Sequence, residues 1–182
     1  KGLGSLHLKK NDKLNFGNSG TLARLLIGIL STTSNIEANI SGDHSLNKRS
    51  MKSLISLMTK FGANFLPKNK FNFPLKLISS EMPIGINYNA GVSAQLKSAV
   101  ILAGLNSYGN TIITENNKSR NHTENMLLEN SKAIKIKGKL KRKINIFGKK
   151  YLNSIKINVP NDPSSAAFFS ALTLLNKNSS IK

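Results

Sequence analysis

A unit of roughly 75 residues occurs twice in this 182-residue chain and begins a third time. Ser19 and Ser93, one period apart, each stand where small polar residues give way to an apolar helical run. Met51 and Met126 sit at matching places in the second helical stretch of each copy, and Ser165 opens a third helix about one period beyond Ser93. Each unit reads as helix, strand, helix, then two or three strands. A period this long excludes the common solenoids. The runs Leu25–Leu30 and Ala99–Leu105 are hydrophobic nearly all round, which marks helices buried on every side. A few α/β units packed around shared buried helices satisfy both features.

Within the first unit, a helix is predicted from about Gly20 to Leu30 and a strand from about Asn35 to Ile40. Residues 45–63 read as one amphipathic helix with Met51, Leu54, Ile55, Leu57 and Met58 on its apolar side and Gly62 as C-cap. Short strands follow near Asn64–Leu66, Leu75–Ile78 and Gly85–Tyr88, bounded by Pro67, Pro74 and Pro83. The second unit repeats this, with a helix entered through Ser93, the strand NTIITE, and a helix carrying Met126, Leu127 and Leu128. Strands near Ala133–Ile136, Lys143–Ile146 and Ser154–Asn158 come next, then a helix after Asp162.

The formal net charge of +19 points to an anionic partner. Only four of the 27 basic residues are Arg: Arg24, Arg49, Arg120 and Arg142. Nucleic-acid surfaces favour Arg for bidentate contacts and aromatics for stacking. Here aromatics make up 6% and Trp is absent, so the charge reads first as a general Lys bias. The basic run Lys132–Lys150 alternates with apolar residues and reads as exposed hairpin faces. Absence of Cys excludes disulfides, a Cys-ligated zinc and a thiol nucleophile. No apolar stretch approaches the ~20 residues of a membrane span. The chain opens at Lys1 and closes on SSIK, and both ends are expected to be internal points of a longer protein.

Five segments carry chemical promise. GNSGT, Gly17–Thr21, opens a helix, where free N–H groups and the dipole suit an anion and Gly20 admits close approach; on these five residues alone an ordinary Asn/Ser cap before a buried helix is the simpler reading. In SGDHSLNKRSM, Ser41–Met51, the first-turn placement expected for Lys48 and Arg49 opposes the helix dipole, a conflict an anion would remove. Asp43 reads as a cap or turn residue. Ser93 is a natural cap, whereas the half-buried amide of Gln95 needs polar partners, such as a substrate hydroxyl or carboxylate. Arg120, in SRNHTENM, stands at another helix start, with a surface ion pair to Glu124 as its ordinary role and Thr123 and Glu124 exposed or capping. VPNDPSSAAFF leads a strand into a Pro-started helix, with Asp162 and Ser164 as caps. Neither a Ser–His–Asp arrangement nor metal-ligand spacing is recognisable.

In this order and spacing, GNSGTLARLL, GDHSLNKRSM, SAQLKSAVILAGL, SRNHTENML and VPNDPSSAAFF closely resemble the 5-enolpyruvylshikimate-3-phosphate synthases. The resemblance implies an α/β fold of βαβαββ units around buried helices, an inside-out α/β barrel, in two globular domains. Residues 1–158 would form two of the three units of one domain, and residues 159–182 the crossover into the other. It implies transfer of the enolpyruvyl group from phosphoenolpyruvate to shikimate 3-phosphate, with no metal or organic cofactor. By position, Asn18, Gly20, Arg49 and Gln95 match the phosphoenolpyruvate site; Ser93, Ala94, Gln95 and Arg120 match the shikimate 3-phosphate site. The family's catalytic Asp and Lys and its Lys-Ser-x-Ser-x-Arg segment have no counterpart here, so this stretch alone is expected to be inactive. Ser50, Asn121 and Asn161 depart from the family's usual Pro, Asp and Gly. A cytoplasmic monomer with neither nucleic acid nor membrane as partner is the corresponding expectation. Two alternatives are an enolpyruvyl transferase acting on UDP-N-acetylglucosamine, which GDxSLxKR and SRxHTExM disfavour, and a basic nucleic-acid-binding module, which rests on the net charge alone.

Overall fold

The computed structural model describes residues 11–180 except 131, 140, 151, 155, 157 and 159–161. The first unit comprises β1 (Asp12–Asn15), α1 (Gly20–Thr32), β2 (Glu37–Ser41), α2 (His44–Lys48), α3 (Lys52–Lys60), β3 (Asn64–Leu66) and β4 (Leu75–Ile78). The second comprises β5 (Asn87–Ala90), α4 (Ala94–Asn106), β6 (Asn110–Glu115), α5 (His122–Asn130), β7 (Ile134–Lys137) and β8 (Arg142–Phe147), and α6 (Pro163–Leu175) follows. Each unit forms its own four-stranded sheet, ordered β1-β2-β4-β3 and β5-β6-β8-β7. In both, the first two strands are parallel and the rest antiparallel. The expected βαβαββ repeat is therefore present twice with identical topology.

The repeat is legible at the level of single caps. Ser19 Oγ accepts from Leu22 N at 3.1 Å and Ser93 Oγ from Leu96 N at 3.3 Å, so each apolar helix begins on the same device. α1 and α4 run parallel and pack on one another. Gln95 Nε2 donates to Thr21 Oγ1 at 2.7 Å near one pair of ends, and Asn106 Nδ2 to the Thr32 carbonyl at 2.7 Å near the other. Both bonds link positions 74 apart, so equivalent positions of the two units touch. The crossing is tight: a Cβ on Gly28 would lie 2.6 Å from the Ala99 carbonyl oxygen. Ala23, Ile27, Leu30, Ala99, Val100, Ile101 and Ala103 are buried in this centre. Burial of each larger side chain contributes roughly 1.5–3 kcal/mol.

α3 lays Leu54, Ile55, Leu57 and Met58 inward, as its spacing predicts. It ends at Phe61 with Gly62 at φ +99°, and the Gly62 and Ala63 N–H groups close on the Thr59 and Met58 carbonyls. The hairpin β7–β8 presents Lys135, Lys137 and Lys143 to solvent, so part of the basic run is an exposed sheet face.

Three expectations require correction. Residues 45–63 are two helices, not one. Asp43 caps α2 through Leu46 N at 2.7 Å, Arg49 ends it in extended backbone, and the Met51 N–H donates to the Phe71 carbonyl at 2.6 Å, drawing the chain out of helix before α3. Arg49 is thus a C-cap, where a cation suits the dipole, and the first-turn conflict does not exist. Glu124 is not an exposed partner of Arg120 but fully buried beside Lys97. Finally, α4, expected to be apolar apart from Ser93 and Gln95 at its start, also buries Lys97 completely. The strand expected over 154–158 falls partly outside the described residues, as does the crossover at 159–161; residues 152–154 are not in a strand. α6 lies largely exposed, with Phe168, Phe169, Leu172, Leu174 and Leu175 all more than half accessible.

Candidate functional site

Parallel packing brings the N-termini of α1 and α4 to one end of the molecule. Their aligned dipoles and free N–H groups leave that end electropositive. The loop before α1 is held by Asn15, whose Oδ1 accepts from the Gly17 N–H at 2.9 Å, and by the Asp43 N–H donating to the Gly17 carbonyl at 2.8 Å. Asn18 then bridges two charges. Its Nδ2 donates to Asp43 Oδ2 at 2.7 Å, and its Oδ1 accepts from Arg49 Nη2 at 2.8 Å. Arg49 Nη2 also reaches Ser45 Oγ at 3.3 Å. The Leu46 backbone N–H, followed by the Asn18 amide, holds the Asp43 carboxyl below the usual carboxylate range.

Arg24, one turn into α1, donates from Nη1 to the Gly20 carbonyl and to Gln95 Oε1, both at 3.0 Å. A Cβ on Gly20 would stand 2.7 Å from Arg24 Nη1 and 3.4 Å from Arg49 Nη1, so both guanidinium groups converge over the bare face of Gly20. Burial, and after it the neighbouring Arg49 charge, lowers the pKa of Arg24. Two forks of like charge aimed at one small surface make a site for a doubly oxygenated anion such as a carboxylate or phosphate. Sequence reasoning assigns Arg24 no role. The available signal is its place as the fourth residue after Gly20, which a helix puts on the same face.

Gln95 stands between two clefts. One, about 150 Å³, is lined by Arg24, Ser50, Met51, Ser93 and Gln95. The other, about 230 Å³, is lined by Thr21, Ala94, Gln95, Ser98 and Arg120. The amide is polarised from both sides, accepting from Arg24 and donating to Thr21. Seven residues singled out from sequence, Asn18, Gly20, Arg49, Ser93, Ala94, Gln95 and Arg120, thus gather around the starts of two helices. Arg120 lies on the connection before α5, exposed, with no hydrogen bond or ion pair among the described residues. Of the departures, Ser50 occupies the break between α2 and α3, and Asn121 Nδ2 donates to Asn125 Oδ1 at 3.0 Å at the start of α5. Asn161 lies outside the described residues. A wider depression of about 500 Å³ lies among Lys48, Lys68, Lys70 and Phe71, but neither helix start contributes to it, and Lys70 Nζ is engaged by the Pro74 carbonyl.

Residues 1–182 match the family model of EPSP synthase (3-phosphoshikimate 1-carboxyvinyltransferase). The 3-phosphoshikimate 1-carboxyvinyltransferase of Roseobacter denitrificans is 42% identical over 154 residues, covering 84% of this chain and 34% of that protein. The enzyme of the same name from Paramagnetospirillum magneticum is 37% identical over 185 residues, covering 100% of this chain and 41% of that protein. The solved EPSP synthase of Acinetobacter baumannii superposes with a TM-score of 0.75 at 37% identity, over 89% of this chain and 36% of that one. The enolpyruvyl transferase NikO from Streptomyces tendae shares the fold at 14% identity, with a TM-score of 0.50 over 70% of this chain and 29% of that one. The chain spans between a third and a half of the length of these curated relatives.

Proposed function

The chain belongs to the EPSP synthase family, and we propose that it supplies part of the substrate site of an enzyme that moves the enolpyruvyl group of phosphoenolpyruvate onto shikimate 3-phosphate. The reaction forms an ether to the acceptor hydroxyl and releases phosphate, on the route to chorismate and the aromatic amino acids. The observation that carries this reading is the convergence of Arg24 and Arg49 over Gly20, with Gln95 joining that surface to the cleft of Arg120. The donor, which carries a carboxylate and a phosphate, suits the first place, beside Asn18. The acceptor, with its own phosphate and hydroxyls, suits the second, against Ser93, Ala94, Gln95 and Arg120. Gln95 touches both sides and so orients one substrate against the other.

This chain's residues bind and orient. The groups that protonate the donor methylene and take the acceptor proton belong, on this reading, to segments outside it. Residues 159–182 are read as the crossover into the second globular domain; the exposed apolar side chains of α6 fit a helix whose packing partners lie elsewhere. No metal or organic cofactor enters the scheme. A cytoplasmic location and a monomeric state at full length rest on the family resemblance. Among the described residues no helix is long and apolar enough to cross a membrane.

The test is calorimetry of each substrate with a full-length enzyme carrying this segment. Arg49→Ala should weaken phosphoenolpyruvate, and Arg120→Ala should weaken shikimate 3-phosphate. Tight binding of UDP-N-acetylglucosamine would move the reading to the sugar-nucleotide alternative. Sequence-selective DNA binding at ~0.15 M salt would overturn the enzyme reading, since scattered Lys supports only weak, steeply salt-dependent contact.

A further inference from the structure

Four charged groups are buried where α4, β6, α5 and β8 meet, and the substrate site as described above uses none of them. Lys97 Nζ donates to Glu115 Oε1 at 2.8 Å and lies 2.7 Å from Glu124 Oε1, an ion pair without hydrogen-bond alignment. Arg142 Nη1 donates to Glu115 Oε2 at 3.0 Å. Glu115 Oε1 also accepts from both the backbone N–H and the hydroxyl of Ser119, each at 2.9 Å. The side chains of Lys97, Glu115 and Glu124 are wholly excluded from solvent. Two cations and two carboxylates balance, but taking ions from water costs several kcal/mol each, and apolar residues of similar volume would commonly stabilise as well.

The repeat supplies an internal control. Lys97 and Glu115 correspond, one repeat period earlier, to Ala23 and Ser41. Ala23 is fully buried in α1, and Ser41 pairs with Asn15 as Glu115 pairs with Ala90. Among the described residues the first unit therefore builds the same topology with no buried charge at this junction. The network is not a requirement of the fold.

It differs in what it ties down. Glu115 Oε1 is the common acceptor of Lys97, two positions beyond Gln95, and of Ser119, the residue before Arg120. The Ser98–Thr123 hydroxyl pair at 2.8 Å joins α4 to α5, which follows the segment of Ser119 and Arg120, at the edge of the cleft. Arg120 itself has no side-chain partner among the described residues, so the backbone at Ser119 sets where its guanidinium can reach. We propose that Lys97 and Glu115 are positioning residues that clamp the 116–121 segment to α4. The clamp sets the spacing of Arg120 and Gln95 across their shared cleft, and so the affinity for an anionic acceptor that both must touch. This rests on the reading of Arg120 as an acceptor-binding residue.

The experiment is calorimetry of shikimate 3-phosphate with a full-length enzyme carrying this segment, in the Arg120 and Arg120→Ala backgrounds. Lys97→Met combined with Glu124→Gln removes one buried charge of each sign and leaves the Glu115–Arg142 pair. It should weaken the acceptor roughly tenfold or more, with little change in the KM for phosphoenolpyruvate. Ser119→Ala disturbs no charge and should weaken the acceptor by about threefold to tenfold; it decides the matter should the double substitution fail to fold. Both effects should nearly vanish in the Arg120→Ala background, since a residue acting through Arg120 has nothing left to position. Losses that add in full to that of Arg120→Ala, or unchanged affinity in the folded variants, would overturn the proposal. If Arg120→Ala alone leaves acceptor binding unchanged, the reading of Arg120 falls, and the clamp proposal falls with it.

Discussion

Arg24 and Gln95, 71 residues apart, are joined by a 3.0 Å hydrogen bond from guanidinium to amide oxygen. The bond crosses from the first repeat unit to the second, and it aims the amide of Gln95 into the gap between the two clefts. Neither residue can be reoriented without disturbing the other, because Gln95 Nε2 is fixed in turn by Thr21.

A methyl group at position 20 tests this arrangement. The Cβ of Gly20→Ala would lie 2.7 Å from Arg24 Nη1, the tip of a flexible side chain and not backbone. The fold should yield by moving Arg24, at a net stability cost below about 1 kcal/mol, because a helical Gly→Ala exchange itself gains up to about that much and offsets the displacement. Arg24 would then lose its bonds to the Gly20 carbonyl and Gln95, and the KM for phosphoenolpyruvate should rise by a larger factor than the Kd for shikimate 3-phosphate, which feels only the loosened Gln95. Equal losses for both substrates would show that Arg24 serves the donor no more than the acceptor.

Arg49→Lys keeps the charge and discards the planar fork that reaches Asn18 Oδ1 and Ser45 Oγ together. Losing one charge-assisted contact should cost about 1.5–3 kcal/mol, roughly tenfold to a hundredfold in kcat/KM for phosphoenolpyruvate. Steady-state kinetics with each substrate varied in turn measures it. Unchanged donor kinetics would make Arg49 a solvated C-cap and nothing more.

At the helix crossing the neighbour cannot give way. The Cβ of Gly28→Ala would meet the Ala99 carbonyl oxygen at 2.6 Å, and both helices are buried there. Separation of α1 from α4 should destabilise by about 1–3 kcal/mol, as overpacking does, and loosen the Gln95–Thr21 contact. Urea denaturation of Gly28→Ala beside Gly20→Ala is the measurement. The first should lower the midpoint clearly more than the second.

Acid should find Glu115. Burial pushes its carboxyl up, but the Lys97 ammonium and the Ser119 N–H and hydroxyl outweigh burial, and the group titrates below its ordinary 4.5. Its folded pKa is therefore depressed. The stability it contributes is present above pH 4.5 and is lost as pH falls toward the lower folded value. Denaturation midpoints should fall in that acid window, and Glu115→Gln should flatten the fall while lowering stability at neutral pH. A variant as acid-sensitive as the parent would place the lost stability on other carboxylates.

The repeat, the caps at Ser19 and Ser93, the inward face of α3 and most strand positions are legible in the sequence because they are local. A cap bonds to the next turn, and a buried face shows in helical spacing. The motif order is equally legible, and with it the choice of Gly20, Arg49, Gln95 and Arg120 as candidates. The break between α2 and α3 is not, because its cause is the carbonyl of Phe71, which is remote from Met51 along the chain. The role of Arg24 is hidden for the same reason, its partner being 71 residues away. Burial of Lys97 and Glu124 runs against their residue types and depends on Glu115 and Arg142 arriving from a strand and a hairpin. Sequence by itself determined most of the helices and strands, and it marked Gly20, Arg49, Gln95 and Arg120 as fit to meet an anion. Tertiary structure alone decided which of those residues face one another, since that depends on two parallel helices crossing closely enough at Gly28 for side chains of separate units to share hydrogen bonds.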